Sequence, residues 1–146
     1  MIFMKPVEFR KEEFAVSTDP ARIQVPLVHH YLSCQSYWAQ GRSIGTVSKS
    51  VDHSLCFGVY HHDSQVGFAR VITDYAVFAY ILDLFIIPEF QGQGLGKWLM
   101  SCILAHPDLQ GPLKWVLTTR DAHGLYSQYE FKKLEVPGNW MELKKR

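Results

Sequence analysis

The sequence predicts a single α+β domain spanning residues 1–146, built on a mixed, mostly antiparallel central sheet. The length of 146 residues suits one domain, and 47% hydrophobic with 14% aromatic residues is enough to build a core without staples. Short β-prone runs joined by polar turns are interleaved with stretches of helical periodicity. A glycine-rich turn, Gln91 to Gly96, joins an apolar strand to an amphipathic helix.

In chain order, Met4–Phe9 reads as an opening strand. Val25–Leu32 starts a helix, with Pro26 suited to the first turn and Leu27, Val28, Tyr31 and Leu32 on one face. Gly41 to Ser43 breaks the pattern, and Ser43 is an N-cap for a second helix through Val51 with Ile44, Val47 and Val51 aligned. Leu55–Tyr60 and Val66–Thr73 form a hairpin around the polar turn His61 to Gln65. Val77–Ile87 is a long apolar run read as a central strand buried on both faces, ended by Pro88.

Leu95, Trp98, Leu99, Cys102 and Ile103 then repeat at helical spacing up to His106-Pro107. Leu113–Thr118 is a further strand, and Asp121 is an N-cap candidate for a helix to about Tyr129. Phe131–Val136, a Pro137-Gly138 turn and a last strand Trp140–Leu143 complete the chain.

Composition narrows the function. A net charge of +1 from 15 basic and 14 acidic residues disfavours a general nucleic-acid binder, although charge alone does not exclude single-stranded binding through stacked aromatics. The aliphatic and aromatic content argues against disorder. Cys34, Cys56 and Cys102 show no CxxC spacing and read as small buried hydrophobes in a reducing cytoplasm. The N-terminus turns charged within a few residues, so no leader is expected, and the run Tyr75 to Pro88 is too short to span a bilayer. His29-His30 and His61-His62 are adjacent pairs, whose side chains point apart in a strand, so no metal is expected.

A helix start leaves unpaired N–H groups beside the positive end of the macrodipole, and glycines let a ligand approach the backbone. Gln91 to Gly96 is therefore a candidate phosphate or pyrophosphate socket. Its spacing is not that of GxGxxG, where the third glycine would fall on Lys97. It is not that of the P-loop either, which would need glycine at Gln91 and a hydroxyl at Trp98. The pattern left is Q-x-x-G-x-G, on Gln91, Gly94 and Gly96.

Leu84 to Met100 resembles the signature of the GNAT superfamily of acetyl-CoA-dependent N-acetyltransferases: a strand, then [R/Q]-x-x-G-x-[G/A], then a helix. Asp121 to Phe131 resembles the family's A-x-x-x-Y-x-x-x-G-F helix through Ala122, Tyr126 and Phe131, with Glu130 where glycine is usual. The resemblance implies a sheet splayed between its fourth and fifth strands, here Val77–Ile87 and Leu113–Thr118, and flanked by the four helices read above. It implies that acetyl-CoA lies in the gap. Its pantetheine would pair with the backbone of Phe85, Ile86 and Ile87, and its pyrophosphate would sit on Gln91, Gly92, Gln93, Gly94, Leu95, Gly96 and Lys97. Asp121 and Tyr126 complete the expected cofactor contacts.

Acetyl transfer to an amine needs a neutral amine, a polarised thioester and a proton for the departing thiolate. The resemblance makes Tyr126 the proton donor. Asp83 interrupts an apolar strand, so it faces water, a partner or a cleft; it is the candidate base, with a salt-bridged structural role as the other reading. Asp74, Tyr75 and Tyr80 are weaker alternatives. Tyr31, Tyr37, Trp38, Tyr75 and Tyr80, with Arg42, are the candidate acceptor-binding residues, suited to an apolar or aromatic amine; Tyr37 and Trp38 read equally as core.

The expectation is an N-acetyltransferase acting on a small-molecule amine, as a monomer or homodimer, without nucleic-acid or membrane partners. A non-catalytic CoA-binding module and a peptide acetyltransferase are the competing readings.

Overall fold

The computed structural model describes residues 5–145. Its frame is one sheet in the order β1-β2-β3-β4-β5-β6: Glu8–Lys11, Phe14–Ser17, Leu55–His61, Ser64–Thr73, Phe78–Ile86 and Lys114–Leu117. All neighbours are antiparallel except β5 and β6, which run parallel. The helices are α1 (Val25–His30), α2 (Ile44–Asp52), α3 (Leu95–Leu104) and α4 (His123–Ser127). A π-helical turn, Tyr31–Gln35, extends α1.

Helices cover both faces of the sheet. On one side α3 buries Leu95, Leu99, Cys102 and Ile103, four of the five residues its periodicity selects, against Phe57, Val59, Val71 and Ile81, and the fifth, Trp98, is half-buried. On the other, Val28 and Leu32 pack with Val47 and Val51 of α2 over Phe68 and Phe85. Such covering removes the apolar faces of both layers from water, the dominant stabilising term. Ser43 caps α2 as its sequence predicts, its Oγ accepting from the Thr46 N–H at 3.2 Å.

Several elements depart from the sequence reading. Met4 lies outside the described residues, and the opening strand occupies Glu8–Lys11 instead. It pairs with β2, which the sequence reading did not identify. The turn between them carries Glu12 at φ 57 rather than a glycine, and all four β2 residues are buried, so neither a turn signal nor alternation marks the hairpin. Cys34 is exposed, unlike Cys56 and Cys102.

The tail forms no last strand at Trp140–Leu143. A 3-10 turn at Pro137–Asn139 redirects the chain, and the Lys114 ammonium lies 4.9 Å from the Trp140 ring centroid. Among the described residues, no helix is long and apolar enough to cross a membrane.

His106, 1% exposed, lies near the start of the connection from α3 to β6. Its Nδ1 accepts from the Asp108 N–H at 3.1 Å and its ring meets Phe57 edge-on. Burial holds its pKa below the usual 6.5, against a smaller opposing effect of Asp108. Protons therefore favour the unfolded chain, and stability falls as pH drops from 6.5 toward the depressed folded value. Urea unfolding between pH 7.5 and about 5 reads this slope. His106→Gln keeps an acceptor and removes the titration, so it flattens the slope; an unchanged slope would assign the acid sensitivity to other groups.

Candidate active site

The cleft begins at a bulge. Phe68 pairs with Phe85 and Arg70 with Leu82, so Asp83 and Leu84 together oppose Ala69. Asp83 takes φ 56, the left-handed conformation typical of one bulge class, and the strand turns there. Pairing between β5 and β6 runs only from Phe78↔Lys114 to Ile81↔Leu117 and stops just before that bulge. The second half of β5 thus has no neighbour on that side, and the sheet splays. Val77–Ile87 is accordingly not buried on both faces: along Phe78–Ile86 buried positions alternate with half-buried Tyr80, Leu82 and Leu84.

The opening is a cleft of about 910 Å³, within the range of small-molecule sites. Phe85, Ile86, Gln91, Gly92, Gly94, Leu95, Gly96, Asp121 and Tyr126 line it, as do Tyr31, Tyr37, Trp38, Arg42, Tyr80 and Asp83. Ile87, Gln93 and Lys97 are not among its lining residues. The Ile87 N–H turns to Val66, the Gln93 side chain to the Phe90 carbonyl, and Lys97 is exposed. Tyr75 is not in the lining either. It occupies the turn before β5, where the exposed Asp74 carboxylate accepts from the N–H groups of Ala76, Val77 and Phe78, which lower its pKa.

At one end of the cleft stands the glycine loop. Gly92 and Gly94 have φ +83 and +86, and an added Cβ at either would meet nothing within 4 Å. Gly94 is the N-cap of α3 and contributes no side chain, so the first-turn N–H groups point outward without a cap. The Gln91 amide donates to the Ile86 carbonyl at 2.7 Å and ties the loop to β5. The backbone can therefore receive an anion through dipoles alone.

Tyr126 lines the same cleft. Asp121 does not cap its helix: Ala122 is the N-cap residue, and Thr119 Oγ1 accepts the Ala122 N–H at 3.0 Å. The helix is only five residues long, and Glu130, in the usual glycine position, takes φ 70 just beyond it. The Phe131 ring packs edge-on to Tyr126, with centroids 6.2 Å apart. Burial raises the Tyr126 pKa above 10.0, with smaller contributions from Tyr37 and Asp121. Its hydroxyl bonds to no other described residue, so it is protonated and free to donate.

The rest of the cleft lining is rich in aromatic rings. Tyr31 stacks on Phe85 at 4.0 Å between centroids. Tyr37 and Trp38 are 44% and 40% exposed, which sets aside their reading as core. Tyr37 receives the Arg120 N–H on its hydroxyl at 3.2 Å and the Arg120 guanidinium on its ring at 3.8 Å. His123 lines a second groove, of about 730 Å³, which shares Leu117, Thr118, Thr119 and Tyr126 with the cleft.

Asp83 is 4% exposed and already occupied. Its Oδ2 accepts from Arg70 Nε at 2.6 Å and Arg42 Nη1 at 3.0 Å, and its Oδ1 from Trp38 Nε1 at 2.8 Å. Three donors, two of them cationic, hold a carboxylate that is almost fully buried, which leaves an amine little access to it. The geometry favours the salt-bridged reading over the base. Asp83→Asn keeps the shape and removes the charge, leaving two guanidinium groups facing each other. It is expected to cost about 3–5 kcal/mol of stability in urea unfolding, the range for breaking a buried ion pair. A variant as stable as the parent, with a turnover deficit that recovers as pH rises, would restore the base role.

Arg70 escaped the sequence reading. The available signal was a lone arginine in one apolar strand followed by a lone aspartate in the next. At the β3–β4 turn the structure also brings together what the sequence pattern separates. His62 takes φ 55, so the His61 and His62 rings lie 4.4 Å apart, and their ligand atoms and one of Glu13 fall within 4.8 Å of one another.

Known proteins give the same frame. The sequence model of the acetyltransferase (GNAT) domain matches residues 52–133. The chain belongs to the GNAT acetyltransferase family. A GNAT-family crystal structure from Xanthomonas campestris pv. campestris is 45% identical, with a TM-score of 0.87, over 90% of this chain and 93% of that one. A Gibberella zeae protein that carries an acetyltransferase name is 32% identical over 68% of this chain. A Clostridium acetobutylicum structure with acetyl-CoA is 13% identical, with a TM-score of 0.66 over 90% of this chain and 94% of that one, a likeness of fold alone. The chain spans 67%, 59% and 53% of the lengths of three curated relatives it matches.

Proposed function

We propose that the chain transfers the acetyl group of acetyl-CoA to the primary amine of a small molecule, by direct attack within a ternary complex. One observation carries this reading: a single cleft holds an uncapped helix N-terminus and a partner-free, protonated Tyr126. The loop fits a pyrophosphate because its glycines leave the backbone bare and its N–H groups outward. Acetyl-CoA supplies the thioester carbonyl that the amine attacks. Gly92, Gly94, Leu95 and Gly96 hold its phosphates, and the free edge of β5 from Phe85 to Ile86 offers backbone groups to the pantetheine. As the C–N bond forms and the C–S bond breaks, Tyr126 Oη gives its proton to the sulfur. With Asp83 occupied, the amine enters neutral, and the proton its nitrogen sheds after attack passes to water, from which Tyr126 regains its own.

A CoA-binding module without turnover would need the loop and not the phenol, so Tyr126 favours the enzyme. Cysteines free of disulfides among the described residues suit a reducing compartment such as the cytoplasm. Release of CoA thiol from acetyl-CoA over a library of small amines and peptides tests the reading. Turnover with one or more small amines is the expected result. Acetyl-CoA binding without release of thiol for any acceptor would leave the sensor reading standing instead.

A further inference from the structure

The cleft lining outside the glycine loop carries an uncancelled positive charge. One carboxylate, Asp83, lies between two guanidinium groups, Arg70 and Arg42. Arg70 has a 10% exposed side chain and spends a second donor on Ser54 Oγ at 3.1 Å. The surplus is therefore presented by Arg42, whose side chain is 24% exposed and lines the cleft. Among the described residues, Asp83 is the only acceptor that its guanidinium meets, through Nη1. Its remaining N–H donors are unspent. An arginine keeps its charge at any working pH and offers donors in a fixed planar fork suited to carboxylate or phosphate.

The surroundings do not neutralise it. The other acidic residue lining the cleft, Asp121, is exposed and lies 3.9 Å from Arg120. Lys144 adds a further cation to the lining. The charge and the phosphate cradle belong to different elements: Arg42 is held at the bulge of β5, and the cradle is the loop from Gly92 to Gly96 before α3. An amine with no other charge would bring an ammonium group toward a cationic wall. An amine that also carries an anion would cancel that wall and orient its nitrogen.

We propose that the acceptor bears an anionic group, a carboxylate or a phosphate, which docks on Arg42. The proposal rests on the acetyl-transfer reading above and names its substrate class. Arg42 is a specificity residue here, paired with Asp83 so that its fork is held in place.

The test uses matched acceptors that differ only in the anion: amino acids against their decarboxylated amines, and amino-sugar phosphates against the parent amino sugars. CoA release is measured at low ionic strength for the wild type, Arg42→Gln and Arg42→Lys, with acetyl-CoA thermal stabilisation recorded on each. The wild type should favour the anionic member of at least one pair type by about 10–100-fold in kcat/KM, the worth of one charge-assisted contact. Which pair type responds distinguishes carboxylate from phosphate. Arg42→Gln should lose that preference through KM for the anionic member, and Arg42→Lys should keep part of it.

A wild type unresponsive to acetyl-CoA overturns the acyl-donor reading and this proposal with it. With that response intact, three results overturn the proposal alone. They are equal or better turnover of the uncharged members, no turnover of any anionic member, and a preference that survives in Arg42→Gln.

Discussion

Tyr126→Phe lowers kcat by about 10–1000-fold, the span of general-acid contributions, and leaves acetyl-CoA affinity almost unchanged. The substitution removes one hydroxyl and keeps the ring that packs against Phe131. That hydroxyl has no partner elsewhere in the described chain, so its loss leaves no internal group orphaned and the fold is spared. Burial raises the phenol pKa above 10.0, so the donor is charged with its proton throughout the neutral range. The wild-type kcat should therefore show no loss assignable to Tyr126 until the pH passes that raised value. Steady-state kinetics with a productive acceptor, beside calorimetric titration of acetyl-CoA, separates the two effects. Full kcat in the variant would return Tyr126 to a packing role. Loss of binding together with kcat would mean that the hydroxyl holds the ground-state complex.

Gly94→Asp abolishes stabilisation by acetyl-CoA. A ligand at 100 times its dissociation constant stabilises the wild type by about 2.7 kcal/mol, and the variant should show none of this. The space around Gly94 is open, so the side chain fits. Its φ of +86 strains a non-glycine residue, although aspartate is among those that tolerate the left-handed region best. An aspartate at an N-cap also favours the bare helix, through the same N–H groups that would receive phosphate. The ligand-free variant should thus unfold near the wild-type temperature while its response to acetyl-CoA vanishes. An equal thermal response in both proteins would move the pyrophosphate away from this loop.

The elements that were legible in the sequence are those whose cause is local. The α3 helix declares itself because Leu95, Leu99, Cys102 and Ile103 recur on one face, and the loop before it because glycines punctuate it. Tyr126 was legible through its motif. The bulge at Asp83 and Leu84 was not, since a single extra residue in a strand leaves the apolar pattern nearly intact. The ion cluster was hidden for another reason. Arg42, Trp38 and Arg70 reach Asp83 across 41, 45 and 13 residues, and no local rule links such positions. The tail failed in the opposite direction. Trp140 to Leu143 has strand-forming residues, but the turn at Pro137–Asn139 sends the chain elsewhere and Trp140 settles against Lys114.

Position 83 answers to two demands that few residues meet together. Its backbone lies in the left-handed region, open mainly to glycine, asparagine and aspartate. Its side chain must also carry a negative charge short enough to accept Arg70 and Arg42 on one oxygen and Trp38 on the other. Glycine and asparagine satisfy the first demand without the charge. Glutamate brings the charge on a stem one carbon longer, which carries its oxygens away from the positions where Arg70, Arg42 and Trp38 meet Asp83. A library randomised at this codon and sorted for folded protein should return aspartate almost alone. Arg42 therefore comes to the cleft by way of a site where chain geometry and charge leave a one-letter alphabet, and drift in acceptor preference would have to proceed through the residues around it.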